Sequence, residues 1–312
     1  MSRILPVGVA QLGPIARNES RQSVVERMLD LLAQADERGC KLLVYPELAL
    51  TTFFPRWYIE EQAEVDAFFE RSMPNPDVQP LFDEAARRGI GFHLGYAELC
   101  EEDGHTHRYN TAILVSPAGE IIGKYRKIHL PGHADNRPEK VFQHLEKRYF
   151  EIGTYGFPVW RAFDGILGMC ICNDRRWPET YRVMGLQGVE MVVLGYNTPA
   201  ISPDSPEIPN LQLFHNHLSM QAGAYQNGCW VAAAAKAGWE EGVEHIGGSC
   251  IIAPTGQIVA QALTEADELI SYHCDLDLGK HFTQTTFNFA AHRRIEHYGL
   301  ITERTGAIPP TM

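Results

Sequence analysis

Gly165-Ile166-Leu167-Gly168-Met169-Cys170-Ile171-Cys172-Asn173-Asp174-Arg175-Arg176-Trp177 passes within one residue from an apolar run to a charged burst. The run from Gly165 to Cys172 reads as a strand, and the burst as the loop at its end. Loops at strand ends carry the chemistry of α/β proteins, because a rigid scaffold positions them. Cys172 stands at the changeover. Cationic neighbours lower a thiol's pKa, so this thiol is expected to react as a thiolate. Two further segments end in the same manner. Tyr45-Pro46-Glu47-Leu48 closes one apolar run with a carboxylate, and Lys124-Tyr125-Arg126-Lys127-Ile128-His129 closes another with a lysine.

Outward from this stretch, strands alternate with amphipathic helices. Leu5 to Gln11 predicts a strand, and Ser20 to Arg38 a helix with Val24, Val25, Met28, Leu31, Leu32 and Ala35 on one side and Gly39 as its cap. Lys41 to Tyr45 predicts a buried strand. Helices are expected over Glu60 to Arg71 and Val78 to Arg88, and strands over Gly91 to Glu98, Asn110 to Val115 and Glu120 to Lys127. The last two join at Pro117-Ala118-Gly119 as a hairpin. The second half repeats the layout, with strands at Gly165 to Cys172, Val189 to Tyr196 and Trp230 to Ala235, and helices at Pro178 to Gln187 and Leu211 to Gln226. Ser249 to Ala253 and Gln257 to Gln261 form another hairpin. The turns Ser-Pro-Ala-Gly at 116–119 and Ala-Pro-Thr-Gly at 253–256 resemble each other, which suggests two related halves. The expected fold class is α/β, with mixed sheets covered by helices. Two such sheets packed together make a four-layer sandwich. With 312 residues, 45% hydrophobic content and no linker, one domain over 1–312 is expected.

Composition narrows the partners. The formal net charge is −12, from 39 acidic against 27 basic residues, so a nucleic acid would meet net repulsion. No run approaches the roughly 18 apolar residues of a membrane span, and the start lacks a signal-peptide core. The seven cysteines are odd in number and widely spaced, which fits a reducing compartment, and a cytoplasmic location is expected.

Cysteine-dependent acyl transfer needs a thiol nucleophile, a group to take and return protons, and donors for the oxyanion. Cys172, Glu47 and Lys127 fill those roles on residue type. Glu47 is read as general base, and Lys127 with the backbone N–H of Asn173 as the oxyanion's partners. Arg175 and Arg176 read two ways, as a fork for a substrate carboxylate or as partners of Glu179 or Glu47. Phe53-Phe54-Pro55-Arg56-Trp57 reads equally as pocket wall, loop core or subunit contact. Cys170 and Cys172, two apart on a strand, would face the same way, but no second cysteine pair or suitably spaced histidine pair completes a zinc site. His215 and His217 point to different faces of their helix, and His105 and His107 are expected at a surface turn.

These residues resemble the nitrilase superfamily, whose signature is a Glu-Lys-Cys triad in that chain order with the glutamate after a proline; Glu47, Lys127 and Cys172 match it. Within the superfamily, Pro46 to Trp57, Gly123 to Pro131, Phe142 to Phe150, Ile171 to Glu179, Gly195 to Pro199, Ser219 to Gly228 and the tail around Ala291-His292-Arg293 and His297 to Leu300 look like the N-carbamoyl-D-amino acid amidohydrolase branch. The resemblance implies a four-layer α-β-β-α fold of two mixed sheets and no metal or organic cofactor. It also implies a homodimer or homotetramer, with the tail from about 280 to 312 in subunit contact. It adds Glu146 as a second catalytic glutamate that positions the lysine. Asn173, Arg175, Arg176, Asn197 and Thr198 are implied around the substrate carboxylate and its neighbours, and His129 and His144 beside the lysine. The implied reaction hydrolyses an N-carbamoyl-D-amino acid to the D-amino acid, ammonia and carbon dioxide through a thiol-bound carbamoyl group. Another superfamily amidase or a β-ureidopropionase-like enzyme is the alternative. Residues 133–141 and 200–212 follow the branch pattern poorly.

Overall fold

A computed structural model describes residues 2–201 and 211–311 of the chain. Its strands are β1 (Ile4–Gln11), β2 (Leu42–Val44), β3 (Gly91–Glu102), β4 (His105–Val115), β5 (Ile121–Arg126), β6 (Val159–Ala162), β7 (Gly165–Ile171), β8 (Met191–Tyr196), β9 (Trp230–Ala235), β10 (Ala237–Glu240), β11 (Val243–Ile246), β12 (Cys250–Ile252), β13 (Ile258–Gln261) and β14 (Glu268–Asp275). Two six-stranded mixed sheets run in the orders β14-β1-β2-β3-β4-β5 and β13-β12-β9-β8-β7-β6, with β10 and β11 as a separate hairpin. Central strands are parallel, β1 with β2 and β3 in one sheet and β7 with β8 and β9 in the other. All other pairings within the two sheets are antiparallel.

Read from β14 and from β6, the two sheets show the same succession of strand directions, and their terminal hairpins agree in detail. In β4–β5, Ser116 N–H bonds Glu120 and Gly119 N–H bonds Ser116; in β12–β13, Ala253 N–H bonds Gln257 and Gly256 N–H bonds Ala253. The similarity of the two turn sequences therefore reflects two halves of like topology.

Side-chain alternation assigns each face. Leu42 and Val44 join Leu167, Met169 and Ile171 in the core between the sheets, whereas Leu43 and Tyr45 point to the opposite, helix-covered face. The larger helices, α1 (Arg21–Glu37), α3 (Gln79–Arg88), α5 (Pro178–Leu186) and α6 (Gln212–Asn227), form the outer layers; the short α2 (Gln62–Asp66) and α4 (Glu146–Tyr149) lie in loops. Helix α1 starts where the Ser20 hydroxyl accepts the Ser23 N–H at 3.1 Å, a cap worth about 1 kcal/mol. It buries the anticipated stripe, Val24, Val25, Met28, Leu31, Leu32 and Ala35, so Leu32→Ala should cost roughly 2–5 kcal/mol.

Two expectations need correction. The helix expected over 60–71 is only α2, because Glu70 is drawn into backbone bonds with β3: its N–H meets the Ala97 carbonyl at 2.8 Å, and its carbonyl takes the Leu99 N–H at 2.9 Å. Phe68 and Phe69 meanwhile pack on Phe54. His105 and His107 lie on β4, and the turn itself is Asp103-Gly104. Strands β6, β10, β11 and β14 have no clear sequence signal; β14 mixes Ser271, Tyr272 and His273 with Leu269 and Ile270 without strict alternation.

The architecture brings strand ends together. Glu47 follows β2, Lys127 follows β5, Cys172 follows β7 and Asn197 follows β8. Gly195 lets the two sheets touch there, since a Cβ on it would lie 2.1 Å from the Glu47 nitrogen.

Candidate active site

Glu47, Lys127 and Glu146 are wholly buried and joined through one ammonium group. Lys127 Nζ donates to Glu47 Oε1 at 2.7 Å and to Glu146 Oε2 at 2.5 Å. Glu47 also accepts from Asn110 Nδ2 at 2.8 Å and from the Asn197 N–H at 2.9 Å, so both its oxygens are held. The Asn197 amide closes the link by donating to the Glu47 carbonyl at 2.9 Å. Glu146 Oε1 lies 3.0 Å from His144 Nε2.

Burial opposes the positive charge of Lys127, yet the negative groups around it, the Cys172 thiolate when formed, Glu146 and Glu47, outweigh that and push its pKa up. Burial likewise opposes the charge on Glu146, but Lys127 and His144 hold its carboxyl below the usual range.

Cys172 leaves the strand rather than continuing it. Its φ of 46° is left-handed, a strained conformation for a residue with a Cβ, and it opens a 3-10 turn over Cys172–Arg176. Cys170 and Cys172 therefore do not share a face as two residues of one strand would. Cys172 lines a cavity of about 250 Å³ with His144, Asn173, Arg176, Asn197 and Thr198. The expectation of a lowered thiol pKa is overturned: burial, then the charge of Glu47, pushes it up despite Lys127 and Arg175. At neutral pH the group rests as a thiol.

Asp174, not singled out from sequence, holds this turn. Its buried carboxylate accepts from the Ile171 N–H at 3.0 Å, the Tyr125 hydroxyl at 2.7 Å, and the His129 N–H and Nδ1 at 2.9 and 2.8 Å. A carboxylate three residues past a strand end can turn back on that strand's N–H, which is the signal that could have found it. His129, placed by the resemblance beside the lysine, is turned to Asp174 and stacked on Trp177, 4.9 Å between centroids. Asn173 Nδ2 donates to the His129 carbonyl at 3.1 Å.

The two arginines diverge. Arg175 is 1% exposed and fully engaged within the protein, with Nε on Asn216 at 2.7 Å, one terminal nitrogen on the Cys172 carbonyl and the other on Thr198 Oγ1 at 2.8 Å. It stands behind the cavity rather than among the residues that line it. Arg176 lines the cavity and meets only Gln212 Oε1, at 3.5 Å, with no carboxylate partner among the described residues. Burial, then the charge of Arg175, lowers its pKa to about 10, still a cation at neutral pH. Phe53 and Phe54 belong to a buried aromatic cluster, with Phe53 edge-on to His144 at 5.5 Å.

Among the described residues no group of three His, Cys, Asp or Glu side chains is disposed to hold a metal, and no helix is long and apolar enough to cross a membrane. A model of the carbon-nitrogen hydrolase family matches residues 6–283. The chain belongs to that family. Its relatives include a nitrilase of Pyrococcus abyssi, 28% identical over 95% of this chain and 99% of the relative. An N-carbamoylputrescine amidase of Arabidopsis thaliana is 29% identical over 80% of each. A solved carbon-nitrogen hydrolase of Helicobacter pylori superposes with a TM-score of 0.82 at 23% identity, over 97% of this chain and 99% of that one, and shares its fold. Family membership makes this protein a hydrolase of non-peptide carbon-nitrogen bonds.

Proposed function

We propose that this hydrolase cleaves the ureido group of N-carbamoyl-D-amino acids. The observation that carries the reading is Arg176, a cation without a carboxylate partner among the described residues, in the cavity that holds Cys172. A guanidinium so placed suits a carboxylate close to the scissile carbon. The N-carbamoylputrescine amidase relative supports a ureido substrate as such, but putrescine is a diamine whose free end would be cationic and repelled by Arg176. A β-ureidopropionase-like reading moves the carboxylate one carbon further from the ureido group. The D hand rests on the resemblance of the Cys172 to Trp177 block.

In the proposed mechanism Glu47 takes the thiol proton as Sγ bonds to the carbamoyl carbon, and the carbonyl electron pair moves onto oxygen. Lys127 and the Asn173 N–H stabilise that oxyanion. The oxyanion collapses, a C–N bond breaks, and Glu47 returns the proton to the leaving nitrogen. Water, deprotonated by Glu47, then attacks the thiol-bound acyl carbon and the C–S bond breaks, with the proton going back to sulfur; the carbamic acid released loses carbon dioxide, which breaks the second C–N bond and frees the remaining nitrogen as amine or ammonia. Glu146 holds Lys127, and Asn197, Thr198, His144 and Arg176 contact the substrate, while Asn173, Arg175 and His129 shape the turn that presents the thiol. We place the tail after about residue 280, where Ile295, Leu300 and Ile301 are exposed, against a second copy of the chain, which size-exclusion chromatography of a truncated tail would check.

The test is chiral product analysis with N-carbamoyl-D-phenylalanine, its L enantiomer, N-carbamoyl-β-alanine and N-carbamoylputrescine. Release of D-phenylalanine alone, lost in Cys172→Ala, is expected. Cleavage confined to either of the last two would replace this reading with the alternative.

A further inference from the structure

Beside this site lies a second buried ion cluster that the mechanism does not use. Lys236 follows β9 and is 0% exposed. Its ammonium donates to the Thr51 carbonyl and to Glu240 Oε2 at 3.3 Å. Glu240, equally buried, gathers the Phe53 N–H at 2.7 Å, the Thr52 hydroxyl at 3.1 Å, the Ile15 N–H at 3.0 Å and Arg56 at 2.6 Å. Arg56 also donates to His245 Nε2 at 2.9 Å, so that imidazole accepts and is neutral.

These contacts converge on the loop that carries Glu47. Thr51, gripped by Lys236, bonds back to Leu48, whose φ of 46° needs external support. On its other side, the Lys236 N–H donates to the Tyr196 carbonyl at 3.2 Å, one residue before Asn197, whose own N–H holds Glu47. Two cations, Lys236 and Arg56, share the buried carboxylate of Glu240; among the described residues the exposed Glu241 acts on Arg56 and the site's Glu47 on Lys236, so within the cluster itself positive charge exceeds negative. Burial lowers the Lys236 pKa, and the field of Glu47 is among those that oppose the loss of its proton.

We propose that Lys236 is a positioning residue for Glu47: it braces the Thr51 loop and supplies a further positive charge, besides those of Lys127 and the two arginines Arg175 and Arg176, that favours ionised groups in the site. This rests on the reading of Glu47 as the base, but its test needs no carbamoyl substrate. The rate of Cys172 alkylation by iodoacetamide is followed against pH by mass spectrometry of the Cys172 peptide, in the wild type, Lys236→Met and Lys236→Gln. Loss of the cation should move the midpoint of labelling up by about one pH unit in both variants. The glutamine variant keeps a donor for Thr51 and carries the test if the methionine variant does not fold. An unmoved midpoint in the folded variants, or a glutamine variant with the wild-type midpoint, would overturn the proposal, because bracing by hydrogen bonds alone would then suffice. A shifted midpoint in a protein that cleaves no N-carbamoyl amino acid would remove the substrate reading and leave this one standing.

Discussion

Lys127 and Lys236 are the same residue type, both fully buried, both just past a strand end, and both bonded to glutamate, yet their acidities move in opposite directions. Lys127 faces the Cys172 thiolate when that forms and two carboxylates besides, and its pKa rises; Lys236 shares one carboxylate with Arg56 and its pKa falls. Burial penalises the charged form of both, so the amount of negative charge gathered around each cation decides the sign. The chemical consequence is a division of labour. A lysine held protonated cannot take the thiol's proton, which supports the proposed roles of Glu47 as base and of Lys127 as the fixed charge for an oxyanion.

The sharpest break of that comparison is to remove each cation in turn. Lys127→Met, like Cys172→Ala, should lower kcat/KM by about 10⁴-fold or more, since residues acting as a unit fail together. Lys236→Met should cost far less, on the order of tenfold. Comparable losses from the two lysine variants, measured with the same substrate and with folding checked by circular dichroism, would erase the distinction. Glu146→Gln goes further and leaves Lys127 with one carboxylate, as Lys236 has. We expect kcat to fall about 10²-fold with KM little changed. The same variant should label Cys172 at lower pH, because the charge of Glu146 is one of those that hold the thiol's proton on. A wild-type labelling profile would mean that Glu146 acts through Lys127 alone.

The neighbouring arginines extend the contrast from buried to presented charge. Arg176→Ala should raise KM for carboxylate substrates by roughly 10–100-fold, the worth of a hydrogen bond to a charged group, and leave neutral amides unaffected. An unchanged KM would count against its role. Arg175 ties the Cys172 carbonyl to Thr198 and Asn216, so Arg175→Ala should instead lower kcat and the melting temperature.

Much of this was legible because it is local. An apolar run ending in a charged or thiol side chain marks Glu47, Lys127 and Cys172, and the paired turns at 116–119 and 253–256 mark the two like halves. What escaped is what depends on partners far along the chain. Asn110 holds Glu47 from 63 positions away, and Phe53 meets Glu240 across 187. A charge surrounded by such partners looks in sequence like any solvated charge, which is why Lys236 and Glu240 went unmarked. The thiol was misjudged for the same reason, since the arginines beside it in sequence are visible but the carboxylate and the burial that outweigh them are not.

His93 completes the series as a buried titratable group with no charged partner among the described residues. It sits on β3, 0% exposed, with Nδ1–H on the Tyr45 carbonyl at 3.1 Å and Nε2 without a hydrogen-bond partner among the described residues. Burial pushes its pKa down from 6.5 to about 4, so the folded protein binds this proton less readily than the unfolded chain. The stability it permits is fully present above 6.5 and drains away as the pH falls toward 4, by on the order of 3 kcal/mol across that window. The carboxylates of Glu146 and Glu240 are held below the usual range by Lys127 and Lys236, so their own contributions are lost only below about 4.5 and do not overlap most of it. Urea denaturation at steps from pH 7 to 4.5 should show the wild type losing stability and His93→Leu losing markedly less. Parallel profiles would mean that an imidazole can be charged in this interior with no carboxylate beside it, and that the negative charge gathered around each cation does not explain the two lysines either.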